Sequence, residues 1–294
     1  MIRHLLRADV VHCHQQHILA SSLAAFVCRV TRRNVFVSDL GGGGADISSY
    51  ISTDAWYDGH LHISEFSRRV AGHDANPRAA VIFEGVDTEK FSPADGVRRK
   101  PLVVFVGRIL PHKGINDLVA AIPEGIDLEI IGRPYHPHFA DDLRRMAGGN
   151  VRFREDCDDE ALVEAYRQAI CVVMPSVYRS LYGDYSPVPE LLGTSQLEGM
   201  ACGTPAIVTN VGGLPETVVE GITGFIVPPN DPAVLRQKIS WLASHPECVE
   251  KMGRAAASHV RERFTWPQVV RRCLEMYRTP VPQTPKNGTG CGRR

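Results

Sequence analysis

Residues 102–114 read Leu102-Val103-Val104-Phe105-Val106-Gly107-Arg108-Ile109-Leu110-Pro111-His112-Lys113-Gly114. A short apolar run ends in glycine, a loop carries Arg and Lys five apart, and an amphipathic stretch opens at Gly114. This is the signature of a strand, a ligand-facing turn and a crossover helix in a parallel sheet. The same unit recurs downstream. Apolar runs at 128–131, 151–154, 171–174, 206–209 and 224–227 alternate with helical patterns, so six strands and their helices make a full doubly wound α/β domain. Asp231-Pro232 supplies an N-cap and a first-turn proline for one of these helices, and Thr265-Trp266-Pro267 opens the last, which ends near Arg278.

Upstream, residues 85–100 are polar, with Pro93, Asp95, Gly96 and the basic run Arg98-Arg99-Lys100, which by composition marks a domain boundary. The front of the chain predicts strands at 9–13, 35–38, 60–63 and 80–83, a helix at 17–31 and a short helix after the N-cap Ser64. Four strands in the first 84 residues make a second, incomplete Rossmann-like domain, one that has lost its first β-α units or pairs with something else. The expected division is a partial domain over 1–84, a linker over 85–100, a complete domain over 101–264, a helix over 265–278 and a disordered tail over 279–294 rich in Pro, Gly, Thr and Arg.

Composition narrows the function classes. In 294 residues, 33 Lys and Arg balance 33 Asp and Glu, so no bulk field points to nucleic acid or an anionic membrane. The start lacks the apolar core of a signal peptide, and there is no apolar run long enough for a membrane-spanning helix. The eight cysteines form no C-x-x-C pair and read as reduced core thiols of a cytosolic protein, not as a zinc site or disulfide framework. Asn287-Gly288-Thr289 fits a glycosylation sequon and is read as chance.

Four clusters can carry chemistry. Arg108 and Lys113 offer a guanidinium fork and a point charge that together neutralise a diphosphate without a metal; an ordinary surface loop with two solvated cations has the same spacing. The second runs from Pro189 through Glu190, Leu192, Gly193, Thr194, Ser195 and Glu198 to Pro205. Its glycine loop and helix start expose N–H groups to an anion, Glu198 can accept two ribose hydroxyls, and Glu190 can face a sugar. Ser195-Gln196-Leu197-Glu198 is equally a capping box, in which Glu198 returns to the Ser195 backbone. The third, Asn210-Val211-Gly212-Gly213-Leu214-Pro215-Glu216, allows close backbone approach to a ligand or simply makes a turn. The fourth, Ser38-Asp39-Leu40 followed by Gly41 to Gly44, is a substrate-facing loop or a flexible connection. His12, His14 and His17 cluster at the end of the first strand without an acidic partner at metal-ligand spacing. Asp156-Cys157-Asp158 matches a D-x-D pattern, with Asp158 better placed as an N-cap.

In this order, Val81–Asp87 with Phe91-Ser92-Pro93, the Gly107-Arg108…Lys113-Gly114 loop, the Glu190-x7-Glu198 pair, and the run from Gly199 through Gly213-Leu214-Pro215-Glu216 to Gly224-Phe225 resemble the family-4 retaining glycosyltransferases (glycosyl transferases group 1). The likeness covers roughly residues 8–278. It implies the two-Rossmann GT-B fold, with a donor-binding second domain and an acceptor-side first domain. By that resemblance Arg108 and Lys113 hold the diphosphate of a nucleotide sugar, Glu198 the ribose and Glu190 the transferred sugar. The amides of Leu192, Gly193 and Thr194 touch the distal phosphate or sugar. The resemblance also implies retention of anomeric configuration, no metal and no other cofactor. It puts the acceptor-side loop at Asp39, Gly41 and Gly42, and makes the acceptor a glycan or lipid-linked species. Cytoplasmic location, with peripheral membrane association, goes with it. Two departures stand out: the family's opening Gly-rich β-α units have no counterpart before the segment like Asp9–His14, and Leu40 stands where a histidine is expected. A binding-only nucleotide-sugar fragment is therefore the alternative to a sugar transferase, and a two-domain nucleotide-sugar epimerase a more distant one.

Overall fold

The computed structural model describes residues 2–40 and 52–278. The chain forms two compact units. One holds the described residues up to Leu61, Asn76–Ala80 and the last helix from Arg272; the other holds His62–Ala75 and Val81–Arg271.

The first unit contains α1 (Ile2–Leu5), β1 (Val10–His14), α2 (Leu19–Thr31) and β2 (Asn34–Asp39). With β3 (Gly59–His62) and β4 (Ala79–Val81) the strands form a sheet in the order β1-β2-β3-β4. β1 and β2 run parallel, from Val10 beside Asn34 to His14 beside Ser38. Helix α2 packs inward through small residues, Ser21, Ser22, Ala24, Ala25 and Cys28, which bring it close to Cys13, Val35 and Val37. It stops at Arg32, whose left-handed conformation returns its N–H to the Cys28 carbonyl, an αL cap. Its outer face shows Leu19, Leu23, Phe26 and Val30 at helical spacing to solvent.

The second unit begins with the short helix α3 (Glu65–Val70), capped by Ser64 as its sequence predicts. Its sheet comprises β5 (Leu102–Val106), β6 (Asp127–Ile131), β7 (Val151–Arg154), β8 (Cys171–Met174), β9 (Ala206–Thr209) and β10 (Gly224–Val227). The order is β10-β9-β8-β5-β6-β7, and every pairing is parallel. Counted from β5, this is the 3-2-1-4-5-6 order of a doubly wound sheet. The central β8 and β9 are buried at every residue, which is why they read as unbroken apolar runs. The edge strand β7 alternates apolar and charged residues, and its Arg154 pairs with Glu129 at 2.7 Å.

The crossovers are α4 (Ile115–Ala121), α5 (Pro137–Met146), α6 (Asp159–Gln168) and α7 (Ser195–Ala201), followed by α8 (Pro232–Ser244), α9 (Pro246–Arg263) and α10 (Trp266–Arg278). Asp158 caps α6 by accepting from the Ala161 N–H at 2.8 Å, which settles the D-x-D motif as a helix start. Asp231 caps α8 through Val234. Within the stretch 85–100, Val86 and Phe91 lie in the core of this unit. Arg99 there donates to the carbonyls of Ala169 and Gly203 at 2.7 and 2.5 Å and pairs with Glu250 at 2.8 Å, tying the ends of α6 and α7 to α9. Among the described residues Cys13, Cys28, Cys157, Cys171, Cys202, Cys248 and Cys273 are free thiols. No described helix is long and apolar enough to cross a membrane.

Candidate active site

In a sheet of this order the two halves diverge between β5 and β8, and the crevice at their carboxyl ends is where ligands sit. The loops leaving these two strands carry the predicted residues, and of these the structure brings Lys113 and Glu190 into contact. Gly114 has φ +63°, and a Cβ there would fall 2.0 Å from the Pro175 carbonyl oxygen. Only glycine lets the loop after β5 close on the loop after β8. The Val177 N–H donates to the His112 carbonyl at 2.9 Å across the same seam.

Lys113 is buried, and its ammonium donates to the Glu190 carboxylate in an ion pair whose side chains are 9% and 14% exposed. Two charges so far from water persist because each satisfies the other. Arg108 is exposed at the rim, with its guanidinium 5.8 Å from the ring centre of Tyr135. Between them lies His112, held below its ordinary range by burial and then by Lys113, against the opposing pull of Glu190.

The loop from Glu190 to Thr194 is fixed by the third glycine cluster. Gly212 has φ +59°, and a Cβ on it would lie 1.9 Å from the Glu190 carbonyl oxygen; one on Gly213 would lie 2.0 Å from that of Leu191. The Gly213 N–H donates to the Glu190 carbonyl at 3.1 Å. These glycines serve close approach to the protein's own loop. Ser64 adds a hydrogen bond to the Leu191 carbonyl at 2.6 Å, and the Glu216 carboxylate accepts the Glu65 and Phe66 N–H groups at 2.7 and 2.8 Å. The N–H groups of Leu192, Gly193 and Thr194 make no hydrogen bond to another described residue.

The capping-box alternative for Glu198 is not what forms. Thr194 is the N-cap and makes no side-chain cap bond; its hydroxyl donates to Glu84 at 2.9 Å. The Glu198 carboxylate accepts the Tyr166 hydroxyl at 3.1 Å instead. Burial raises its pKa to about 7. A carboxylate this desolvated, in the first turn of α7, is a candidate for a functional role.

Residues 87–259 match the family described as Glycosyl transferases group 1. The chain belongs to that family. It is similar to the D-inositol 3-phosphate glycosyltransferase of Streptomyces bingchenggensis, 31% identical over 72% of this chain and 50% of that protein. It is also similar to the alpha-maltose-1-phosphate synthase of Mycolicibacterium smegmatis, 29% identical over 95% of this chain and 81% of that protein. The chain spans about half the length of the D-inositol 3-phosphate glycosyltransferases it matches. In fold it is similar to the solved structure of Anabaena Alr3699/HepE in complex with UDP (TM-score 0.77, 17% identity, 93% of this chain and 79% of that one). Sucrose-phosphate synthase from Thermosynechococcus elongatus gives a TM-score of 0.71 at 23% identity, over 92% of this chain and 73% of that one. These are GT-B structures, and the likeness is one of fold.

Several contacts around these loops have no local sequence signal. Glu84, Tyr166 and Glu216 reach the site from positions far away in the chain, each through its side-chain oxygens. The segment between β8 and α7 also builds a small hairpin, in which the Ser180 N–H donates to Asp184 and the Ser186 N–H to Tyr178. It presents Tyr182 and Tyr185 to solvent, and Tyr178 accepts the Gly212 N–H at 3.0 Å. In the first unit Asp39 closes β2, while Gly41 and Gly42 lie outside the described residues, as does the tail over 279–294. Both ring nitrogens of His12 are engaged, by Ser38 at 2.8 Å and Tyr277 at 2.6 Å, and burial lowers its pKa to about 4.

Proposed function

We propose that the second unit binds a nucleotide-diphosphate sugar and that the protein transfers its sugar to a hydroxyl acceptor with retention of configuration. The observation that carries this reading is the meeting of Lys113 and Glu190 where β5 and β8 diverge, with Arg108 at the rim and three unengaged amides alongside. Arg108 and Lys113 take the diphosphate, and the Leu192, Gly193 and Thr194 amides take the distal phosphate or sugar. Glu198 accepts ribose hydroxyls. Glu190, released from Lys113 as the phosphate takes its place, turns to the transferred sugar.

In the reaction the bond from the anomeric carbon to the phosphate oxygen breaks and its electron pair stays on the diphosphate. The acceptor oxygen bonds to the same carbon on the same face, and its proton passes to the leaving phosphate. Negative charge grows on the diphosphate, so fixed cations and amides lower the barrier, each typically speeding the step by a factor of ~10²–10³. The chemistry asks for no metal and no protein base. The relatives' names, which pair a glycosyl group with an inositol phosphate or a maltose phosphate, favour a polar hydroxyl acceptor. A glycan or a lipid-linked sugar at a cytoplasmic membrane surface fits the same chemistry. The exposed Leu40, where the family resemblance leads one to expect histidine, favours a binding-only protein as the second reading.

Turnover of UDP-glucose, GDP-mannose and ADP-glucose, as hydrolysis or transfer, separates the two. Arg108→Ala and Lys113→Ala are expected to lower kcat by ~10²-fold or more, with folding checked by circular dichroism. Full activity in both variants contradicts the assignment. Donor binding without any turnover supports the binding-only reading.

A further inference from the structure

A carboxylate that is to accept a diol gains from a partner that holds one of its oxygens and leaves the other, and the structure holds such a side chain. Tyr166, on α6, is fully buried, and its hydroxyl reaches Oε2 of Glu198 at 3.1 Å. No other described residue hydrogen-bonds to this carboxylate. Among the described residues the tyrosine has no second acceptor for its hydroxyl, and its carbonyl is pinned by Thr204 Oγ1 at 2.6 Å. Space for the ring comes from the residue next to Glu198. A Cβ on Gly199 would meet Tyr166 Cδ1 at 3.1 Å and Val172 Cγ1 at 2.9 Å. The glycine inside α7 weakens that helix, and what it gains is room for the aromatic ring against the helix backbone.

We propose that Tyr166 is a positioning residue of the donor site, with Gly199 as its seat: its hydroxyl engages Oε2 and leaves Oε1 to accept the ribose. The inference rests on the donor-site reading above. The bond has a second consequence. Burial favours the protonated acid at Glu198, and a protonated carboxyl is a poorer acceptor. The Tyr166 hydroxyl opposes this, as does Lys90, while Glu84 and Asp159 reinforce it; Lys90 is itself held by Asp159 at 2.5 Å. The phenol stays protonated, because burial and the Glu198 charge push it well above its ordinary range. Removing the hydroxyl should therefore make Glu198 hold its proton to higher pH.

The test is calorimetric titration of the full chain with UDP-glucose, GDP-mannose and ADP-glucose from about pH 6 to about pH 9. Tyr166→Phe keeps the ring and removes only the donor. Its Kd near pH 7 is expected to rise about tenfold, the size of a hydrogen bond to a charged group, with the deficit shrinking toward pH 9. Gly199→Ala, which displaces the ring, should move Kd in the same direction. If Glu198→Gln weakens binding and Tyr166→Phe leaves both Kd and its pH profile unchanged, the tyrosine merely packs and the inference fails. If Glu198→Gln leaves binding intact, or none of the three donors binds the wild type, the donor-site reading fails and the inference with it.

Discussion

Glu198 shows how a single buried carboxyl makes stability depend on pH. Its acid is raised from the ordinary carboxylate range to about 7 by burial. Between those values the folded protein holds a proton that the unfolded chain has released, so this group's contribution to stability falls as pH rises toward 7. Glu198→Gln, which is neutral and can still accept from Tyr166, should match the wild type below about pH 4.5. Above about pH 7 it should be more stable, by roughly 1–3 kcal/mol. Denaturant unfolding at several pH values checks this, and equal stability at high pH would show that the carboxylate is better solvated than its surroundings imply. The variant's gain in stability should come with a loss of donor binding, the usual exchange at a functional site. The Glu190-x7-Glu198 spacing was legible in the sequence. The partner that Glu198 takes instead of the capping box was not, because Tyr166 lies on another helix and nothing in its neighbourhood distinguishes it from any other core tyrosine.

At the level of elements, the loops after the strands are precise because glycines let backbones touch. Gly212 combines φ +59° with a Cβ position 1.9 Å from the Glu190 carbonyl. Gly212→Ala must both strain the backbone and push the Glu190 loop away, and should cost more than about 1 kcal/mol. It should also lower turnover by more than that loss of stability explains. A thermal melt and a kcat measurement on the same sample check it; a fully active variant with unchanged Tm would mean that the loop shifts freely. The strands themselves were readable almost to the residue in the second half, since buried parallel strands leave continuous apolar runs between glycine and proline signals. The hairpin between β8 and α7 was not readable. It is built from backbone hydrogen bonds over Tyr, Ser, Gly and Asp residues, which read equally well as an open loop.

For the molecule as a whole, the doubly wound order follows from sequence only as a class. Six strands with helices between them admit more than one arrangement, and the pairing of β5 with β8 is what puts Lys113 beside Glu190. The first unit was least legible: Asp39 ends β2, but Gly41 and Gly42 lie outside the described residues. The central claim is that the second unit is a donor site for a nucleotide sugar. It is tested most directly by thermal shift of the wild type and Glu198→Ala with UDP-, GDP- and ADP-sugars in parallel. At about 100 times its Kd a true donor stabilises the folded state by roughly 2.7 kcal/mol. The expected result is a rise in Tm with one nucleotide series, lost in the variant. A cooperative melt that no nucleotide sugar shifts would contradict the claim.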